Sequence, residues 1–315
     1  MFTLSHFKFG KLSATKIQHH KIGIELEIIH DFGAIINKYS VNQSPFSFIR
    51  GYESYSELIE THPFFSRSAK LFPFPNRLEH GRFRYDQKSY TLPANFSWTD
   101  DAVHGLLYNQ AFSVVHSHCE TDFAELTLRF ETSSLAKGFP FSFTLDVSYR
   151  VDTEGVLVCS TKVTNTGNQA FPFGDAWHPY FSLDCTLNQV QMTMPVCKEL
   201  QVESGLPTGE RREFKQFRHG ASLTDVSFNH CFEFDGHATA NLCLQRLDQT
   251  ATLHFQQDSS YPFVQLYTPP SEATLAIEPM TCPANAFNNQ IGLIDLLPGQ
   301  TRLFRWQCQA HYIPR

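Results

Sequence analysis

The sequence has no run of apolar residues approaching the roughly 20 needed to span a bilayer as a helix, so no membrane partner is expected. It has no CxxC pair either; its eight cysteines are scattered singly between Cys119 and Cys308. Several fall in strand-like patterns, where a free cysteine behaves as a small buried hydrophobe. That usage predicts a reducing compartment, the cytoplasm. A basic stripe is missing too. The 25 Lys and Arg against 31 Asp and Glu give a net charge of -6 spread along the chain, which argues against a nucleic-acid partner. The segment from Met1 to Gly10 sets isolated apolar residues around His6 and Lys8 and lacks the apolar stretch of a secretory signal. No internal repeat and no low-complexity linker interrupts the 315 residues, which predicts one domain over 1–315. A chain of this length buries enough core to need no disulfide or metal for stability.

Helical periodicity is scarce, and Tyr52 to Thr61 is the one stretch expected to form a short helix. Period-two alternation dominates instead. Ile22, Ile24, Leu26 and Ile28 alternate with Gly23, Glu25 and Glu27. Phe141, Phe143, Leu145, Val147, Tyr149 and Val151 alternate with Ser142, Thr144, Asp146, Ser148 and Arg150. Leu126, Leu128 and Phe130 repeat the pattern, as do Phe304, Trp306, Cys308 and Ala310. Successive side chains on a strand point to opposite faces, so such segments have one face in a core and one toward solvent or a cleft. Turn signals at Asp152 to Gly155, Asn165 to Gly167 and Pro298-Gly299 punctuate them. The expected class is all-β, an antiparallel sandwich. Thirty phenylalanines supply mass for its core.

Four segments break the plain strand pattern and combine titratable or polar side chains with Pro or Gly. In Phe72-Pro-Phe-Pro-Asn-Arg-Leu, two prolines fix the backbone before Asn76 and Arg77, which then present an amide and a guanidinium fork together. In His104-Gly105, the glycine suits a turn. In Gly174-Asp-Ala-Trp-His-Pro-Tyr-Phe, His178 sits among bulky aromatic residues, and Trp177 is the aromatic residue expected beside a cleft. In Ala276-Ile-Glu-Pro, Glu278 closes an apolar strand in surroundings that raise a carboxyl pKa and suit general-base chemistry. Taken singly, each of these residues is as well explained by a structural role.

Their order and spacing are more specific. Asn76-Arg77-Leu78 with Gly81-Arg-Phe83, His104-Gly105, Trp177-His-Pro-Tyr-Phe181, Tyr267-Thr-Pro269 and Ala276-Ile-Glu-Pro279 together resemble the aldose 1-epimerase (galactose mutarotase) family over Ile22 to Trp306. The resemblance implies a large twisted antiparallel β-sandwich of the galactose mutarotase-like type with an open sugar cleft. It also implies interconversion of α and β anomers of a hexose, without metal or organic cofactor. Carried over by position, Glu278 is the base at the C1 hydroxyl and His178 the acid at the ring oxygen. His104 orients the sugar and steadies developing charge, and Asn76, Arg77 and Asn229 bind hydroxyls. The implied partner is a small-molecule sugar, and the expected assembly is a monomer or homodimer.

Two departures from the family pattern bear on the substrate. Asn229 stands where the family has Asp, and Asp235 falls several residues too late to replace it. No basic residue follows His104 within Leu106-Leu-Tyr108, unlike the related hexose-6-phosphate epimerases, although Arg82 and Arg84 remain candidates for a phosphate. A carbohydrate-binding protein without catalysis is the other alternative; retention of both His178 and Glu278 argues against it. A glycoside hydrolase would need two carboxylates flanking the bond, and the matched positions supply one. His116 and His118 share a strand face, but no third or fourth metal ligand accompanies them.

Overall fold

The computed structural model describes residues 1–234 and 239–314; Asp235 lies outside them. The alternating segments form strands, and every pair of neighbouring strands in the sheets is antiparallel. The chain is an all-β sandwich. Its larger sheet has nine strands, in the order Ser113–Cys119, Phe123–Thr132, Phe143–Asp152, Val156–Asn165, Thr301–Tyr312, Ala251–Gln257, Ala240–Arg246, Val190–Thr193 and Ala221–Ser222. The opposing sheet has eight: Leu206–Phe214, Cys197–Glu203, Asn229–Glu233, Phe263–Tyr267, Leu275–Met280, Ala176–Trp177 and Lys70–Leu71 in order, with Tyr180–Phe181 also paired to Leu275–Met280. A four-stranded meander, Thr3–Phe9 to Ile35–Ser40, forms a further sheet.

The alternation explains how the two large sheets meet. Along Phe143–Asp152, Phe143, Leu145, Val147, Tyr149 and Val151 are buried in the common core. Thr161, Phe304, Trp306, Cys308 and Ala310 fill the same layer from neighbouring strands. From the opposite sheet Trp177 packs edge-on against Tyr149 at 5.7 Å and against Trp306 at 6.0 Å, and Phe181 meets Phe255 at 5.8 Å. Aromatic pairs at such separations add attraction beyond the area they bury. The expected turns form as read: the Gly155 N–H donates to the Asp152 carbonyl at 3.0 Å, and Asn165 Oδ1 accepts the Gly167 N–H at 2.9 Å.

The helix expected over Tyr52 to Thr61 instead occupies Tyr55–Phe65. Ser54 is its N-cap, with Oγ accepting the Glu57 N–H at 3.1 Å, while the Glu57 carboxylate accepts the Glu53 N–H at 2.7 Å. These caps move the start three residues later and leave Tyr52 to bury its ring. The helix runs through Pro63 and ends at Ser66 in left-handed geometry. No helix among the described residues is long and apolar enough to cross a membrane.

Arg67, just beyond the helix, is 2% exposed and ties three pieces of chain together. Its guanidinium donates to Glu57 at 2.8 Å, to the Gly51 carbonyl at 3.3 Å and to Glu272, and it lies against the rings of Phe65 and Tyr52. The helix and the loop that carries Glu272 are thereby tied together.

Trp306 gives the sandwich its most direct test. It is fully buried and touches both Trp177 and Phe255. Trp306→Ala is expected to lower unfolding free energy by about 3–5 kcal/mol, the usual range for removing a large aromatic side chain from a core, read from urea denaturation.

Candidate active site

The eight-stranded sheet serves as core wall on one face and cleft floor on the other. Leu275 and Ile277 join the inter-sheet core, while the alternate residues Ala276, Glu278 and Met280 face away from it. The same alternation turns Trp177 inward and His178 outward. Trp177 is fully buried beneath the site and does not line the cleft, which corrects the expectation that its neighbourhood to His178 would bring it there. Extended backbone sends adjacent side chains to opposite faces, so adjacency in sequence separates these two residues in space.

The cleft has a volume of about 340 Å³, and all six residues singled out in the sequence line it: Asn76, Arg77, His104, His178, Asn229 and Glu278. At its floor His178 Nε2 lies 3.3 Å from Glu278 Oε1. The imidazole stacks on Tyr180 with centroids 4.9 Å apart, and His104 approaches it edge-on at 5.1 Å. The backbone of His178 is clamped on both sides: its N–H donates to the Ala69 carbonyl at 3.3 Å and its carbonyl accepts the Ser68 N–H at 2.7 Å. His178 Nδ1, His104 Nδ1 and Glu278 Oε2 are buried and have no hydrogen-bond partner within the protein.

Burial drives the two central groups in opposite directions. It penalises the carboxylate and raises the Glu278 pKa well above its ordinary value, and it penalises the imidazolium and takes His178 down to about 3. Both shifts favour the neutral form of the pair, with a proton on Glu278 rather than on His178. His104 is likewise pushed well below its ordinary value, by burial first and by the neighbouring His178 second.

The walls are built by turns. Asn76 and His104 both adopt left-handed backbone, at φ 52 and 60, and the His104 N–H donates to the Asn76 carbonyl at 2.8 Å. Gly105 follows at φ +70, where a Cβ would collide with the Phe72 carbonyl oxygen; the sequence pair His-Gly is thus dictated by close backbone approach. Arg77 sits 3.7 Å from Asp101 and over the ring of Trp98 at 5.3 Å. The Trp98 indole in turn donates to the Pro63 carbonyl at 2.9 Å, joining this wall to the helix. Across the cleft, Gln265 Nε2 donates to Asn229 Oδ1 at 3.0 Å, an uncharged amide pair.

Sequence reasoning missed several lining residues: Gln265, Trp98, Phe64 and Phe65, while Tyr180 was noted only as part of a motif. Gln265 is placed by register, opposite Glu278 on the adjacent strand, which no local pattern reveals. Tyr267 and Pro269, noted only as part of a motif, line the rim. Arg82 and Arg84 are exposed on a separate hairpin and do not line the cleft. His118 Nε2 lies 2.9 Å from the Glu120 carboxylate on an exposed strand, and the described residues contain no cluster of three or more His, Cys, Asp or Glu suited to a metal.

The sequence pattern of the aldose 1-epimerase family matches residues 17–308. The chain belongs to the aldose 1-epimerase family. Among its relatives, the uncharacterized protein YihR of Escherichia coli is 28% identical over 250 residues, covering 74% of this chain and 76% of that protein. A galactose mutarotase-like protein from Clostridium acetobutylicum shares the fold with a TM-score of 0.86 at 18% identity, over 99% of both chains. A galactose 1-epimerase from Lactobacillus acidophilus does so with a TM-score of 0.82 at 17% identity, again over 99% of both. These two likenesses establish the mutarotase-like sandwich, and family membership supports a mutarotase-like isomerase acting on a sugar.

Burial of this cleft has a direct consequence for pH dependence. For a histidine depressed by burial, the unfolded chain takes up protons below about pH 6.5 that the folded chain refuses. The stability contribution of neutral His178 is therefore complete above that pH and lost progressively as pH falls toward 3, the folded value. Nitrogen-15 NMR of the imidazole should show His178 neutral through the ordinary histidine range, with no titration step near 6.5. A step there would contradict the burial argument.

Proposed function

We propose that this protein is an aldose 1-epimerase that interconverts the α and β anomers of a free hexose, with Glu278 as base and His178 as acid. The observation that carries the proposal is the His178–Glu278 pair itself: two groups 3.3 Å apart, shifted in opposite directions, at the floor of a cleft of sugar size.

Ring opening requires the pair in its ionic form. The Glu278 carboxylate takes the proton of the C1 hydroxyl, the C1–O5 bond breaks with its electrons passing to O5, and the His178 imidazolium protonates O5. The product is the open-chain aldehyde facing a neutral pair, which is the form that burial favours. Rotation about C1–C2 turns the other carbonyl face toward the O5 hydroxyl. Closure then reverses each transfer: His178 takes the O5–H proton, O5 attacks C1, and Glu278 protonates the carbonyl oxygen. The pair holds one proton before and after every step, so no charge is left on the sugar. Proton transfer from Glu278 to His178 as the sugar binds converts the neutral pair that burial favours into this ionic form, which sugar hydroxyls stabilise by donating to the carboxylate; closure returns the pair to the same ionic form.

Fixed geometry supplies the rest. Asn76 and Arg77 present donors from one wall and the Asn229–Gln265 amide pair from the other, so the hexose is held with C1 and O5 across the acid and base. The His104 ring, edge-on to His178, limits the orientations of the imidazole and steadies charge as O5 is released. The two arginines considered for a phosphate lie outside the cleft, which favours an unphosphorylated hexose.

Polarimetry of freshly dissolved α-glucose and α-galactose tests the reaction. The protein is expected to accelerate approach to anomeric equilibrium, and Glu278→Gln to lower kcat by at least about 100-fold, the scale of general acid–base catalysis, with little change in KM. No acceleration of any hexose, or an unaltered rate in Glu278→Gln, would sink the proposal.

A further inference from the structure

Directly beneath the site, on the core side of the same sheet, lies a charged pair that the proposed chemistry does not use. Lys70 Nζ is 2.6 Å from Asp175 Oδ1, and both side chains are 0% exposed. The ammonium donates to the Ala176 carbonyl at 2.7 Å and lies against the face of the Trp177 ring at 4.9 Å. The Tyr261 hydroxyl donates to Asp175 Oδ2 at 2.7 Å. Backbone bonds fix the same point: the Asp175 N–H donates to Thr281 Oγ1 at 2.8 Å, and the Thr281 N–H to the Asp175 carbonyl at 2.9 Å. The Trp177 indole donates to Thr161 Oγ1 at 3.1 Å, bridging to the nine-stranded sheet.

Buried ion pairs are poor sources of stability, because desolvation of two charges offsets their attraction, and neutral replacements of similar volume are commonly tolerated. A pair in this place needs another explanation, and its connections supply one. Asp175 begins the short stretch that delivers His178, and Lys70 lies beside it on the adjacent strand, paired with Trp177. Lys70 follows Ser68 and Ala69, whose backbone groups hold the His178 N–H and carbonyl. Asp175 precedes His178 by three residues and is joined through Thr281 to the strand that carries Glu278 three residues earlier. The network thus links the backbone of the acid to the backbone of the base from below.

We propose that Lys70 and Asp175 are positioning residues for the anomerisation, holding the segment 175–178 so that the His178 imidazole keeps its register with Glu278. This rests on the proposed acid and base roles. It goes beyond them by assigning a function to charged groups that never meet the sugar. A pure stability device could be neutralised without effect on the imidazole; a positioning pair could not.

The test is the double variant Lys70→Met with Asp175→Asn, which removes both charges while leaving Tyr261 an acceptor. It is expected to fold with near-native circular dichroism. Its kcat for hexose anomerisation should fall about tenfold or more with KM changed by less than about twofold, since small displacements of a catalytic group cost rate more than binding. The nitrogen-15 resonances of His178 should shift as well. If the folded variant keeps both native kcat and native His178 resonances, the proposal is overturned. Tyr261→Phe, which removes one hydrogen bond from the network, carries the same two readouts if the double variant does not fold. Should the wild-type protein accelerate no hexose, the proposed reaction fails while the His178 resonances still decide whether the pair positions the imidazole.

Discussion

Extended backbone through residues 175–180 divides its side chains between two environments, and the rest of the architecture is arranged around that division. Asp175 and Trp177 enter the dry space between the sheets, while His178 and Tyr180 face the cleft. Leu275–Met280 repeats the partition on the neighbouring strand, with Ile277 inward and Glu278 outward. The wall that excludes water from the core is therefore also the platform for the proposed acid and base. Rigid sheet on one side and aromatic packing on the other leave these two groups little freedom, which is what proton transfer at fixed distance requires.

The electrostatic character of the site follows from that placement. Glu278 is raised by burial alone, without a neighbouring anion. An aspartate at position 229 would have put a second negative charge in the cleft; Asn229, bonded to Gln265, puts none there. The pair is therefore governed by desolvation and by its own proton, and the sugar's hydroxyls become the groups that tip it toward the ionic form. With Asn229 neutral, discrimination among epimeric hydroxyls falls to hydrogen-bond geometry rather than to charge.

Much of this was legible in the sequence, and the limits of legibility have physical causes. Period-two alternation identified strands such as Phe143–Asp152 and Thr301–Tyr312, because burial of one face imposes that pattern directly. Asn76, Arg77, His104, His178 and Glu278 stood out because turns and strand ends leave local marks, prolines before Asn76, glycine after His104, proline after His178 and Glu278, whereas Asn229 was named only through the family resemblance. Gln265 and Trp98 left no such marks. Gln265 reaches the cleft through strand register, and Trp98 through an irregular segment anchored to the helix by a single indole bond. Trp177 was misplaced because a bulky aromatic residue beside a histidine suggests a shared environment, whereas the strand's alternation opposes it. The helix was displaced by three residues because its start is decided by Ser54 capping rather than by apolar spacing.

Burial at the floor of the cleft favours a protonated Glu278 beside a neutral His178. Infrared difference spectroscopy of the sugar-free protein at neutral pH, wild type minus Glu278→Gln, addresses it most directly. A protonated carboxyl stretch is expected in the wild type and is expected to disappear in the variant. A wild-type spectrum in which Glu278 contributes carboxylate bands alone would contradict it.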